Sequence, residues 1–207
     1  MFLDNSEVIK WCYEGVTEVT LANLASFSKS AGSKKKLLEN ANIIEREWGN
    51  RLMGTEDGGQ WTTKFCQNLV KEALEKLNRK NVQSTTFKKS SLRDNDYEPD
   101  LECDDYVYEV KGRSWTMTGT AGEKILGVPL KYGEVPRLYH KPLKIVLIGY
   151  QEYEARNKWQ FGDLLDSNNQ TQELKDALEY HKKHGIEYIG FTDILNQLGY
   201  IQGCWIK

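Results

Sequence analysis

Residues 143–150, LKIVLIGY, constrain the fold of this chain more than any other segment. They are nearly all apolar and rich in β-branched side chains. A strand with one face in water alternates between apolar and polar residues, whereas a continuous apolar run is typical of a strand covered on both faces. The segment therefore predicts an α/β fold in which helices cover both faces of a sheet.

Hydrophobic periodicity predicts the elements around this strand. The predicted helices lie at 61–77, 119–127, 171–183 and 193–198, and the other predicted strands at 82–87, 99–103, 106–111 and 186–191. Residues 88–97 are polar and are predicted to form a loop. The order after the turn-rich segment GTEDGG is α-β-β-β-α-β-α-β-α, which favours a mixed central sheet flanked by helices.

The composition is that of an ordinary globular protein. Of the 207 residues, 39% are hydrophobic and 28% charged, which allows a packed core. The net charge of -2 argues against a strongly basic coat protein of nucleic acid, but it is compatible with an enzyme whose acidic cluster binds a metal ion. The cysteines are far apart and are expected to be reduced thiols. With no long apolar run and no signal-like N-terminus, we expect a soluble cytoplasmic protein without a membrane partner.

A β-hairpin is predicted on either side of the turn Asp104-Asp105. Pairing its two arms around this turn places Asp100 directly opposite Glu109. Directly opposed side chains share one face of a sheet, with their Cβ atoms about 5 Å apart. Lys111 lies two residues beyond Glu109 and therefore points to the same face. Two carboxylates and a lysine are thus predicted to converge.

Opposed carboxylates destabilise a sheet unless something neutralises them. Mg²⁺ would do so, because it prefers oxygen ligands and keeps several waters for a substrate phosphate, and we expect Mn²⁺ to substitute for it. Asp100, Glu109 and the carbonyl of Val110 are the predicted ligands. Lys111 is predicted to orient the attacking water or to stabilise developing charge. The alternative is a solvated hairpin with scattered charges.

These residues resemble the motif of the PD-(D/E)XK nuclease superfamily. Pro99-Asp100 is similar to its PD, and Glu109-Val110-Lys111 to its ExK. The α-β-β-β-α-β order over residues 61–150 resembles the restriction-endonuclease-like core of that family, preceded here by an N-terminal helical extension. The resemblance implies metal binding through Asp100 and Glu109 and hydrolysis that leaves a 5′-phosphate. In size and in its compact hairpin, the chain is most like a small type II restriction endonuclease.

Many members of the superfamily carry a further acidic residue on the first core helix. Here that helix begins with Gln60-Trp61-Thr62, and no glutamate stands near its start. Glu72 lies further along it, and Glu45 or Glu47 on the preceding helical segment could substitute. The resemblance therefore leaves the choice among these three auxiliary acids, and with it a second metal site, open.

Two polar segments, residues 111–124 and residues 131–141, are predicted to contact DNA. Small hydroxylated residues at a helix N-terminus can offer backbone N–H groups to a phosphate, and nearby cations add charge. The predicted contacts are Arg113, Ser114, Thr120, Lys124, Lys131 and Arg137. The alternatives are a flexible loop with an ordinary helix cap for the first segment and a plain connection into the buried strand for the second.

The resemblance leads to a functional hypothesis, a Mg²⁺-dependent type II restriction endonuclease acting on double-stranded DNA. Residues 60–207 would form the nuclease core with C-terminal helix and strand additions, and residues 1–59 would serve dimerisation or DNA contact. A homodimer is expected because two active sites related by a two-fold axis cut both strands of a palindromic site. A cognate DNA methyltransferase is the expected partner in the host. The alternatives are a repair or recombination nuclease and a DNA-binding module without catalysis.

Overall fold

The computed structural model describes residues 1–16, 31–55, 61–91, 94, 96–116, 120–158 and 170–202. It gives the backbone alone for residues 31–35, 37 and 120–122. The strands are β1 (Lys88–Lys89), β2 (Asp96–Tyr97), β3 (Leu101–Glu102), β4 (Val107–Arg113), β5 (Leu143–Gly149) and β6 (Ile186–Gly190). The α-helices are α1 (Ser6–Tyr13), α2 (Ala31–Met53), α3 (Trp61–Lys76), α4 (Val128–Lys131), α5 (Val135–Tyr139), α6 (Tyr150–Asn157), α7 (Gln172–Lys183) and α8 (Phe191–Gln197). Within the described residues, 3-10 helices span Phe2–Asp4 and Thr120–Gly127.

A mixed four-stranded sheet in the order β3-β4-β5-β6 forms the centre of the molecule. Strand β3 pairs antiparallel with β4, whereas β4, β5 and β6 run parallel. Helices cover both faces, so the predicted α/β architecture is confirmed at this level. The apolar segment that predicted it is the interior strand β5, in which six of seven residues are buried.

Alternate side chains of the two interior strands point into two separate hydrophobic clusters. Tyr108 and Val110 of β4 pack with Val146 and Ile148 of β5 against the face covered by α1, α3 and α8. Val107 of β4 and Leu143, Ile145 and Leu147 of β5 pack on the opposite face, against the segment 125–139 that carries α4 and α5. This period-two alternation assigns Glu109 and Lys111 to the second face, beside residues 125–139.

The structure corrects two sequence predictions and adds three helices that were not predicted. Residues 82–87 do not form a strand, since they make one isolated bridge, between Gln83 and Glu102. Phe87 is 65% exposed, so this segment lacks the buried face that stabilises a strand. The predicted loop 88–97 contains the short β1–β2 ribbon. Helices α4, α5 and α6 were not predicted, because four to eight residues are too few to show helical periodicity clearly.

The N-terminal helices pack into the same core as the sheet. Trp11 of α1, Trp48 of α2, and Trp61 and Phe65 of α3 form one aromatic cluster with ring centroids 5.2 to 6.0 Å apart.

Within the described ranges, no helix is both long and apolar enough to cross a bilayer. Three of the cysteines, Cys12, Cys66 and Cys103, are buried free thiols.

Candidate active site

The hairpin register agrees with the one expected from the turn. Leu101 pairs with Tyr108 and Glu102 with Val107, and the Cys103 N–H donates to the carbonyl of Tyr106. Continuing this register by one residue brings Asp100 opposite Glu109. The turn length alone determines this pairing, because each step along one arm is matched by one step on the other.

Asp100 lies just before β3 and has a defined partner for each carboxylate oxygen. Its Oδ2 accepts the backbone N–H of Val110 at 2.6 Å, and its Oδ1 accepts the side-chain amide of Gln67 on α3 at 2.5 Å. Asp100 therefore continues the β3–β4 ladder with its side chain where the backbone pairing ends. Each oxygen keeps a second lone pair for another ligand.

Glu109 is a buried carboxylate that is incompletely satisfied. It is 3% exposed, and its Oε1 is paired with the Lys111 ammonium. Its Oε2 accepts no hydrogen bond from the part of the chain that the structure describes. Burial and then the Asp100 charge raise the pKa of Glu109, while Lys111 and the Tyr132 hydroxyl act in the opposite direction. The second carboxylate is thus held close enough to repel the first.

Tyr132 joins this group from the segment that covers the sheet. Burial and the Glu109 charge raise the pKa of its phenol, which therefore stays protonated as a hydrogen-bond donor. The Lys131 ammonium lies 3.3 Å from the same hydroxyl.

Beside Lys111, Gly112 lets α3 approach β4, because a Cβ there would overlap the Cys66 sulfur.

These residues fit a hard divalent cation. The unpartnered Oε2 of Glu109 and the second lone pairs of Asp100 are oxygen donors, and the Val110 carbonyl points to the same side of β4 as the N–H that Asp100 accepts. No cluster of three or more His, Cys, Asp or Glu side chains suited to a metal occurs in the described ranges. Two carboxylates and a carbonyl, completed by water, would suit Mg²⁺ better than Zn²⁺.

A pocket of about 690 Å³ opens beside Lys111, at the carboxyl ends of the parallel strands β4 and β5. Ligands of open α/β sheets bind in a crevice at this end of the strands. Residues of α2, the start of α3, the end of β4, the segment 124–132 and the start of α6 line it. Its cationic lining residues are Arg46, Lys111, Arg113, Lys124 and Lys131.

Four of the predicted DNA contacts line the pocket. Lys124 and Lys131 are exposed and line the pocket, and Ser114 lines it as a buried residue. Arg113 also lines it, but it is 5% exposed and paired with Glu154 at 2.6 Å, so its charge links β4 to α6.

The remaining two predicted contacts are Arg137 and Thr120. Arg137 is outside the pocket and pairs with Glu134 on the surface. Thr120 begins a 3-10 helix, and its side chain lies outside the described residues.

The three candidate auxiliary acids also differ. Glu45 lines the pocket, but its oxygens accept four hydrogen bonds, from Trp11 Nε1, Trp115 N, Thr116 N and Thr116 Oγ1. Glu72 accepts the N–H groups of Phe2 and Leu3 and is not part of the pocket. Glu47 is exposed on α2 and is not part of it either. Among the described residues, none of the three forms a hydrogen bond with Asp100 or Glu109.

Sequence reasoning missed several residues of this site. Gln67 contacts Asp100, Tyr132 lies beside Glu109, and Arg46, Thr62 and Gln151 line the pocket. The position of Gln67 two turns into α3 was a usable signal, because it follows the apolar residues 65 and 66 and can face the sheet edge. The others come from distant segments that only tertiary packing brings together.

No family model matches this chain, and no curated protein or solved structure matches it either.

Proposed function

We propose that this protein is a Mg²⁺-dependent nuclease that hydrolyses phosphodiester bonds of double-stranded DNA. The observation that carries the proposal is the pair of carboxylates on the hairpin. Asp100 and Glu109 are opposed in register, Glu109 is 3% exposed, and its Oε2 has no hydrogen-bond partner in the described residues. A fold tolerates such a group mainly where a ligand completes it, and buried acids with shifted pKa values cluster at functional sites.

Asp100, Glu109 and the Val110 carbonyl would hold the ion. Mg²⁺ at this position would polarise the scissile phosphate and acidify a bound water. Gln67 and the Val110 N–H hold Asp100 in place through its two oxygens. Glu109 is held by burial and by its pair with Lys111.

Lys111 supports the proposal as the group that meets the substrate. Its side chain is one-third exposed and lines the pocket while it contacts Glu109, so it lies between the carboxylates and the solvent. Its ammonium would donate to a non-bridging oxygen and stabilise the charge that develops there during attack by water. The protonated hydroxyl of Tyr132 adds a second donor next to Glu109.

The finer assignment is a type II restriction endonuclease that acts as a homodimer, with a cognate DNA methyltransferase in the host. Its support is the resemblance of Pro99-Asp100 and Glu109-Val110-Lys111 to the PD-(D/E)XK motif, carried on a mixed sheet flanked by helices. Sedimentation of the protein with a cleavable duplex tests the dimer. A species that stays monomeric on that DNA would contradict it.

The test of the catalytic proposal is cleavage of plasmid and phage DNA in millimolar Mg²⁺, compared with EDTA. We expect Asp100→Ala and Lys111→Ala each to reduce the rate at least about a hundredfold. Asp105→Ala, an exposed carboxylate in the turn of the same hairpin, is the matched control and should cleave like the wild type.

The pattern of products separates the alternatives. Discrete fragments that disappear with EDTA and with Asp100→Ala would support a restriction-type enzyme. Nicked circles, or a preference for branched DNA, would support a repair or recombination nuclease. Retained DNA affinity without any cleavage in Mg²⁺ or Mn²⁺ would contradict the catalytic proposal and leave a DNA-binding module.

A further inference from the structure

Gln151 lines the pocket, and its side-chain amide donates no hydrogen bond to the described residues. The residue is 4% exposed. A buried donor left unsatisfied is destabilising. An acceptor that reached this amide from the pocket would satisfy it.

The backbone holds Gln151 rigidly at this position. Strand β5 ends at Gly149, whose φ of 64° turns the chain directly into α6, and Gln151 is the second residue of that helix. A side chain at Gly149 would approach the Arg113 carbonyl to 2.8 Å, so the tight turn depends on glycine. Gln151 therefore lies two residues beyond the end of an interior strand.

Cationic side chains and a helix N-terminus surround the same space. Lys124 and Lys131 are exposed at one side of the pocket, and Arg46 is exposed on α2 at another. Helix α3 begins at Trp61, and its first-turn residues Thr62 and Thr63 line the pocket. The first N–H groups of a helix lack intrahelical acceptors and carry partial positive charge, which favours an anion.

Glu45, an acidic residue of the lining, does not oppose an anion strongly. Both of its oxygens are committed to donors of the wall, including the backbone N–H groups of Trp115 and Thr116. The pocket therefore offers a neutral amide donor, a helix N-terminus and three exposed cations. This combination fits an anion with several acceptor oxygens and little need for a donor, that is, a phosphate.

We infer that this pocket binds a non-scissile phosphate of the nucleic-acid strand, next to the phosphate that is cleaved. The inference rests on the proposed function. Asp100 and Glu109 do not line the pocket, whereas Lys111 lines it and contacts Glu109, so the two phosphates would bind on either side of Lys111. Gln151 is a binding residue in this arrangement and takes no part in the chemistry.

The first test uses inorganic phosphate and thermal unfolding in EDTA, at constant ionic strength. We expect the wild-type Tm to rise by about 3–5 °C when phosphate exceeds its Kd tenfold. Phosphate also stabilises proteins nonspecifically. Gln151→Glu should therefore keep only the nonspecific part of the rise, whereas Gln197→Glu, exposed on α8 and outside the pocket, should behave like the wild type.

The second test measures the affinity for a duplex oligonucleotide by fluorescence anisotropy, again in EDTA so that no cleavage occurs. We expect Gln151→Glu to weaken binding about 10–100-fold. Lys124→Ala, which removes an exposed side chain and should not affect folding, should weaken it several-fold and reduce the salt slope by about one. Lys183→Ala, exposed on α7, is the matched control.

The outcomes of these tests are distinct from those of the cleavage assay. If Gln151→Glu and Lys124→Ala both bind phosphate and DNA like the wild type, the inference is overturned even where the wild type cleaves DNA. If the wild type binds phosphate through Gln151 and never cleaves, the anion site is supported and the nuclease proposal fails. A Gln151→Glu protein that does not fold leaves Lys124→Ala to decide.

Discussion

At the scale of single residues, the site is defined by carboxylates with very different surroundings. Asp100 has a donor for each oxygen, whereas Glu109 has a partner for one oxygen only among the described residues. Glu109 is the more deeply buried of the two and has a raised pKa. The protein is therefore expected to be less stable with an ionised Glu109 than with an uncharged residue at position 109.

We predict that Glu109→Gln stabilises the metal-free protein at neutral pH. Because the pKa of Glu109 is raised by burial, its contribution to the free energy of unfolding is greatest below the ordinary glutamate pKa and is lost as pH rises through the raised value. An amide removes this loss, and we expect a gain of about 1 kcal/mol. Thermal unfolding in EDTA measures it, with Glu75→Gln, exposed on α3, as the control.

The same experiment repeated in Mg²⁺ tests the metal ligands. We expect Mg²⁺ to raise the Tm of the wild type and to leave that of Glu109→Gln unchanged, because the ion binds the ionised carboxylates. A Tm of Glu109→Gln below that of the wild type in EDTA would show that Glu109 is a stabilising structural residue and would contradict the prediction.

Gln67 illustrates a residue that acts through another. Its amide donates to Asp100 at 2.5 Å from α3. Removing such a support typically reduces metal affinity or activity about 10–100-fold. We predict that Gln67→Ala raises the Mg²⁺ concentration needed for half-maximal cleavage by this factor and that cleavage recovers at high Mg²⁺. Asn68→Ala, exposed one residue further along α3, should need no more Mg²⁺ than the wild type.

At the scale of elements, Glu45 joins three segments that are far apart in sequence. From α2 it accepts the indole N–H of Trp11 on α1 and the backbone N–H groups of Trp115 and Thr116 after β4. These bonds hold the segment that leaves the candidate catalytic strand against the N-terminal helices. Glu45, one of the three candidate auxiliary acids, therefore helps to hold the pocket wall in place.

We predict that Glu45→Gln lowers the free energy of unfolding by about 2–4 kcal/mol. The substituted amide would point its own donors at donors that now bind the carboxylate, and both sides would be buried. Urea denaturation followed by tryptophan fluorescence measures the change. Glu47→Gln makes the same substitution on an exposed part of α2 and should stay within about 0.5 kcal/mol of the wild type. Equal losses of stability in the two variants would argue against a role of Glu45 in holding the pocket wall.

At the scale of the whole molecule, the aromatic cluster unites the N-terminal helices with the sheet. Trp11, Trp48, Trp61 and Phe65 come from three helices, and Trp11 is completely buried. The described part of residues 1–59 therefore shares its hydrophobic core with residues 60–207. We expect the chain to unfold as one cooperative unit.

Trp11→Ala should lower the free energy of unfolding by about 3–5 kcal/mol and keep a single transition, since it removes a large buried side chain from the shared cluster. Coincident curves from circular dichroism and tryptophan fluorescence in urea would check both points. Phe87→Ala removes an aromatic ring that is 65% exposed and should change stability little. Two separate transitions, with the sheet unaffected by Trp11→Ala, would contradict a common core.

Local features could be predicted from the sequence because they depend on few residues. The apolar run of β5 indicated a strand covered on both faces, and the structure places it inside the sheet. The turn Asp104-Asp105 determined the pairing that brings Asp100 opposite Glu109, since the two arms are only a few residues apart. Side-chain alternation then placed Lys111 with Glu109, and the two are in contact.

What only the tertiary structure decided concerns residues that are distant along the chain. Gln67 reaches Asp100 from 33 positions away, and the pocket collects α2, α3, α4 and α6 around the end of β4. The burial of Arg113 against Glu154 depends on how these helices pack, and so does the hydrogen bond from the Trp115 backbone to Glu45. A pattern in sequence carries periodicity and turn length, which are local, whereas these contacts arise when many weak interactions close long loops at once.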